Sequence, residues 1–233
     1  MARHRRSLAR RLFFGLERVF ALGVTIACLG AFGVSAQEAE PPSRPLFLQA
    51  MGLLEAQAID INRDGTPFVS LTLFQGDGVR PVARDTSAAG GDIVASWDFV
   101  TEDGRFVESL TLTTASVDIA PSETRRFALA NMLVLRSFPQ IARQFSEARL
   151  LAFGPMENDD GLDVVQMVGS FSPSDSDRDI LFRHVGTMHP ERAEIVVAII
   201  NVDTDVLPVR SDTDVVDTFA GQSFRTLTFD ASE

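Results

Sequence analysis

Lysine and tyrosine are absent from this sequence, and cysteine and tryptophan occur once each. Without lysine there is no Schiff-base nucleophile and no ammonium to clamp a phosphate in a Walker-type loop. The single cysteine, Cys28, lies in the first 36 residues. Beyond it the chain has no disulfide, no thiolate metal ligand and no cysteine nucleophile. Of three histidines only His184 and His189 lie past that segment. No G-x-S-x-G elbow, no H-E-x-x-H and no G-x-G-x-x-G occurs, which removes the usual signatures of serine hydrolases, zinc proteases and dinucleotide binders. No internal repeat is visible either. No catalytic residue and no cofactor is therefore assigned.

What is present begins with an address. Arg3, Arg5, Arg6, Arg10 and Arg11 make a basic start, residues 19–34 are mostly apolar, and Val34-Ser35-Ala36 offers small residues for cleavage. Residues 1–36 read as an export signal, because the uncharged run is only about 18 residues, at the lower limit for a membrane span. Retention as an anchor is the other reading. Arg10-Arg11-Leu12-Phe13-Phe14 resembles a twin-arginine motif, with an ordinary Sec signal as the alternative. Residues 37–45 (QEAEPPSRP) form a polar, Pro-rich leader. The expectation is a periplasmic or secreted protein without stable membrane insertion after cleavage.

The whole chain has 32 acidic and 21 basic residues, a net charge of −11. Loss of residues 1–36 removes six arginines and Glu17 and leaves about −16. That surface repels nucleic-acid phosphates and anionic lipid. The partner it leaves open is an unknown protein or small molecule.

One globular domain is expected over residues 46–233, with a hairpin at 46–75 and a core at 93–229. Residues 53–61 and 68–74 read as strands around Asn62-Arg63-Asp64-Gly65, and Asp-Gly between alternating apolar residues is a hairpin signal. Asp60, Asn62, Asp64 and Gly65 also mimic the start of a calcium loop, but the closing twelfth position is Leu71. Residues 75–91 read as a loop. Strands follow at 93–100 and 105–113, with another at 115–119, and Trp97 is expected in the core. A helix opens at Pro121-Ser122-Glu123, Pro139 begins a new turn, and Ile141, Ala142 and Phe145 suggest a second short helix. A brief strand at 150–153 precedes strands at 164–171 and 180–186. Residues 195–202 (IVVAIINV) are apolar and β-branched without alternation, the pattern of a strand covered on both faces. A helix capped by Ser211 or Asp212 then presents Val215, Val216 and Phe219 inward and ends at Gly221. Residues 223–229 alternate as a last strand.

Two acid or histidine groupings are candidate metal ligands. Asp175, Asp177 and Asp179 in the loop SPSDSDRD could share one side of an extended segment and hold a hard cation. His184 and His189, with Asp179 and Glu191 nearby in sequence, could form a site for a metal-dependent hydrolase. Against the second, His184 shares strand parity with Phe182 and Gly186, an apolar setting.

The C-terminal half, about residues 93–229, resembles the PsbP-like α/β/α sandwich. The likeness is carried by the glycine-punctuated strands 164–171 and 180–186, by the helix 215–221 and by Ser223-Phe224 after it. It implies an antiparallel sheet flanked by helices and a family of mostly non-enzymatic accessory or assembly proteins, some of which bind metals. The fold class expected is therefore α+β, mainly antiparallel. The function expected is an exported accessory or binding protein without catalytic activity, with the metal-dependent hydrolase as alternative.

Overall fold

A computed structural model describes residues 54–63, 65–87, 92–116, 125–156, 164–173, 178–190 and 192–229. Residues 1–45, where the signal and leader are expected, lie outside the described residues together with Asp175 and Asp177. Among these described residues ten strands form two sheets in which every pairing is antiparallel. β1 (Glu55–Arg63), β2 (Thr66–Gln75) and β10 (Thr228–Phe229) make a small sheet in the order β1-β2-β10. The main sheet has the order β3-β4-β5-β9-β8-β7-β6. Its strands are β3 (Val79–Ala83), β4 (Ile93–Thr101), β5 (Phe106–Ser116), β6 (Ser146–Met156), β7 (Val164–Ser172), β8 (Ile180–Met188) and β9 (Glu194–Asp203).

The apolar run forms β9, fourth of the seven strands, and Ile195 to Asp203 are all buried. Both faces of this strand meet a core, which is why its sequence does not alternate. On one face Val196, Ala198, Ile200 and Val202 join Phe99, Leu110 and Leu112 under the small sheet. On the other, Ile195, Val197 and Ile199 join Phe171 and Phe182 under a helical segment. That segment comprises α1 (Arg125–Ala130), a π-helical stretch (Asn131–Ser137) and α2 (Phe138–Gln144). α3 (Asp212–Val216) and α4 (Phe219–Arg225) lie on the small-sheet side, α4 against β2, β5 and β9. Helices thus flank the main sheet on both faces, and the class is α+β and antiparallel as expected. The second sheet was not anticipated.

The β1–β2 hairpin forms as expected, with Gly65 at φ 79° in its turn and Asp60 accepting a hydrogen bond from the Ser70 hydroxyl across the ladder at 3.0 Å. Trp97 is in the core. Other expectations need correction. Residues 75–91 contain a strand, β3; its Pro81 is tolerated because β3 is an edge strand. The strands expected at 105–113 and 115–119 are joined through residue 116 as β5. The strand at 150–153 extends over Ser146–Met156.

Pro139 does not start a separate turn. A proline denies a hydrogen bond to the carbonyl four residues back and crowds it. Here the chain widens into the π-helical stretch, so that the Phe138 N–H reaches the Leu133 carbonyl and Ser137 Oγ donates to the Met132 carbonyl at 3.2 Å. The helix passes the proline instead of ending there.

The C-terminal unit differs most. Ser211 caps α3 in a capping box with Asp214, as expected for Ser211. The helix then stops, and Thr218 caps a second one, accepting from the Gly221 N–H at 3.1 Å. Gly221 is inside α4, not at a helix end. It is glycine because a Cβ there would lie 2.0 Å from the Val215 carbonyl oxygen. Residues 223–225 are helical, and the final strand is two residues long. Ser223-Phe224, one carrier of the PsbP-like resemblance, therefore sits in α4 and not at the start of a strand.

Candidate functional site

His184 and His189 follow each other along one strand and its exit, but the fold sends them to different environments. His184 is on the helix-facing side of β8, opposite Ile199 of β9 and Met167 of β7, with its ring 5.1 Å from that of Phe182. It is fully buried, and neither ring nitrogen has a hydrogen-bond partner. Desolvation pushes its pKa down to about 3, so the imidazole is neutral. The apolar setting inferred from strand parity is the one found.

His189 is also buried, but against the small sheet. Its ring stacks on Phe68 at 5.4 Å and meets Phe229 edge-on at 4.8 Å. Nδ1 accepts the Arg192 N–H at 3.2 Å. Arg192 lies over Phe68 and Arg63 pairs with Glu194 at 3.0 Å. The turn from His189 to Glu194 is thus a joint between the two sheets. Asp179 is elsewhere again: its Oδ1 accepts the Ser172 hydroxyl at 2.9 Å, and its carbonyl accepts both the N–H and the hydroxyl of Thr204. The structure brings none of Asp179, His184 and His189 together. Among the described residues no group of three or more His, Cys, Asp or Glu side chains converges on a point.

What the fold does build around Asp179 is a groove of about 690 Å³. One wall is edge strand β6, with Glu147, Arg149 and Leu151; the other is the loop from Thr204 to Arg210. Leu181 and Val209 supply buried apolar floor. Ser170, Ser172 and Thr204 supply hydroxyls, and Arg149, Arg210, Asp179 and Asp205 supply charge. The loop wall is tied down at its root, where the Asp205 N–H donates to Asp203 Oδ1 at 3.0 Å and Arg178 pairs with Asp203 at 3.4 Å. Burial raises the Asp203 carboxyl pKa in spite of these contacts.

Strand β6 makes the groove accessible. It is the outermost strand, kinked by two register shifts against β7, with Glu147 at φ 53°. Leu151 and Phe153 are 54% and 56% exposed. The groove holds a hydrogen-bonded Ser172–Asp179 pair, and no imidazole lines it among the described residues. Its composition suits binding: apolar floor, hydroxyls and charges of both signs.

Sequence reasoning missed this groove because its walls, Leu151 and Thr204 at their nearest, are about 50 residues apart along the chain and meet only through the β6-β7-β8-β9 pairings. It also missed a polar ladder on the helix-side face of β4, β5 and β9. Ser96 and Thr111 share a hydrogen bond at 2.8 Å, Asn201 Nδ2 donates to Ser109 Oγ at 3.4 Å, and Arg84 pairs with Asp98. The available signal was the alternation of Ser109, Thr111 and Thr113 with Leu110 and Leu112 in β5. Burial raises the Asp98 carboxyl pKa, with Arg84 acting against it.

No protein-family profile matches this sequence, and no curated protein does. Among solved structures, the chain is similar to the Ran-binding protein Mog1p of Saccharomyces cerevisiae at 14% identity and a TM-score of 0.41, covering 75% of this chain and 95% of that one. It is similar at 14% identity and a TM-score of 0.39 to PA94 from Pseudomonas aeruginosa, a protein of unknown function, with 76% and 99% covered. It is also similar to LpqN of Mycobacterium tuberculosis, involved in cell envelope biogenesis, at 12% identity and a TM-score of 0.39, with 81% and 98% covered. Likenesses of this size assign neither a family nor an activity.

Proposed function

We propose that this chain is an exported, non-enzymatic binding protein, and that the groove between β6 and the 204–210 loop takes an extended segment of a partner protein. The observation that carries the reading is the combination of a groove with, as its wall, an edge strand that is unpaired on one side among the described residues. An edge strand presents free N–H and C=O groups along one side. An extended peptide laid beside β6 would pair with that backbone and place alternate side chains on Leu151 and into the groove. Arg149, Arg210, Asp179 and Asp205 would then select the charge pattern of the peptide. The opposite edge of the sheet, β3, is short and carries Pro81, so it is blunted against the same mode. Export rests on the N-terminal pattern of basic, apolar and small residues, and the PsbP-like resemblance fits an accessory role.

The test is selection of peptides from a random display library by the full purified chain. Micromolar binders are expected, and Leu151→Asp should weaken them at least tenfold, roughly the effect of charging an apolar contact. The reading fails if no peptide is enriched, or if enriched peptides bind the Leu151→Asp and Arg210→Glu variants as well as the parent.

A further inference from the structure

Glu108 is the least expected residue in the molecule. It is the third residue of β5, on the small-sheet face, fully buried, with Phe99 of β4 and Val202 of β9 as its cross-strand neighbours. Its carboxyl group points at the first turn of α4, where it faces the Thr218 hydroxyl and the N–H groups of Phe219 and Ala220. None of these contacts closes to a full hydrogen bond. The reason is visible at Thr218, whose hydroxyl donates to the Val215 carbonyl at 2.9 Å while accepting from Gly221. Its one proton is committed, and only the two N–H groups that begin every helix without an internal partner remain for the carboxyl. No charged side chain acts on Glu108 from β4, β9 or α4.

α4 in turn closes the small sheet. Among the described residues β10 covers only Val69 and Ser70 of β2. Further along the same edge, hydroxyls from α4 and its C-terminal cap stand in for a partner strand. Thr226 Oγ1 accepts the Thr72 N–H at 2.7 Å, and Ser223 Oγ accepts the Phe74 N–H at 3.2 Å.

We propose that Glu108 is a proton-operated latch for the α3–α4–β10 clasp: neutral, it keeps α4 docked, and ionised, it loosens α4 and frees the edge of β2. The balance of forces supports this. Desolvation raises the Glu108 pKa to about 7, outweighing the lowering contributions of Thr218, Ala220 and Phe219. The sign follows. With a docked pKa above the solvated value of 4.5, the docked state holds more protons between those values. Undocking is therefore favoured as pH rises from 4.5 to about 7, and levels off above. The latch would respond within the physiological range.

The test is amide hydrogen exchange in the full chain, corrected for the intrinsic pH dependence of exchange. Protection at Thr72 and Phe74 should fall roughly tenfold between about pH 6 and 8, the size that the Glu108 shift implies, while amides of β8 keep theirs. Glu108→Gln, which retains an acceptor for the α4 amides but cannot ionise, should abolish the fall. Carbon-13 titration of the Glu108 carboxyl, which needs no variant, should show a midpoint near 7. A midpoint below 5, constant protection in the parent, an equal loss across β8, or the same fall in Glu108→Gln would each overturn the proposal.

Discussion

His184 shows how one residue can look functional in a list and be structural in place. Its two nitrogens are buried without partners between Phe182, Ile199 and Met167, so it contributes volume and unsatisfied polarity together. A buried polar group without a partner costs about 1–3 kcal/mol. An apolar residue of similar volume should therefore be tolerated or better. Leu in place of His184 is expected to raise stability at pH 5 by about 1–3 kcal/mol, with a smaller gain at pH 8. Urea denaturation at the two pH values measures this directly, and a loss at both would refute the structural role described. His189 is the contrasting case, because its Nδ1 is hydrogen-bonded and its ring packs on Phe68 and Phe229 in the joint it makes between the sheets. The sequence placed His184 on an apolar face by strand parity alone. It had no means of placing His189, whose neighbours Phe68 and Phe229 are about 120 and 40 residues distant in the chain.

Among the elements, those specified by local pattern were legible and those specified by contact were not. β9 and the β1–β2 hairpin follow from apolar continuity and from Asp-Gly. The C-terminal helix was misjudged because Gly221 has two meanings. A glycine near a helix end usually supplies left-handed backbone; here it supplies room for α3 and α4 to meet. That distinction gives a sharp expectation. Gly221→Ala would push a methyl group to 2.0 Å from the Val215 oxygen and 2.8 Å from the Val216 oxygen, both backbone atoms that cannot swing aside. A loss of about 3 kcal/mol or more is expected, or failure to fold, although alanine is ordinarily the better helix former. Thermal denaturation in which Gly221→Ala equals the parent would exclude the close approach. Ser211→Ala, removing only the α3 cap, should cost about 1 kcal/mol in the same assay.

At the scale of the whole molecule, two cores share one sheet, and each hides a group whose ionisation they oppose. His184, with its pKa lowered to about 3, makes the protein lose stability as pH falls below 6.5, because only the unfolded state then takes up the proton. Glu108, with its pKa raised to about 7, makes it lose stability as pH rises above 4.5. Between those values the two slopes oppose each other in the parent protein. Single variants should tilt the profile in opposite senses. Stability should rise with pH in Glu108→Gln, where the histidine acts without that opponent, and fall with pH in His184→Leu. Denaturation midpoints at pH 4.5, 5.5 and 6.5 for the three proteins decide it, and parallel profiles would contradict the burial of both groups.

Net charge is a property of the whole chain and needs no coordinates. Composition alone determined that this protein is strongly acidic, lacks lysine and tyrosine chemistry, and has no cysteine beyond Cys28. Periodicity determined that it is α+β with a fully buried strand at residues 195–202, since pattern length and alternation record which faces meet water. Among the described residues no helix is long and apolar enough to cross a membrane. Tertiary structure alone decided the rest. It opposed β6 to the 204–210 loop to make a groove, separated His184 from His189, and set Glu108 against the first turn of α4. Those relations join residues far apart in the chain, and no local propensity encodes them. They follow from the order β3-β4-β5-β9-β8-β7-β6, in which the apolar β9 run occupies the centre and β6, among the described residues, has one side unpaired.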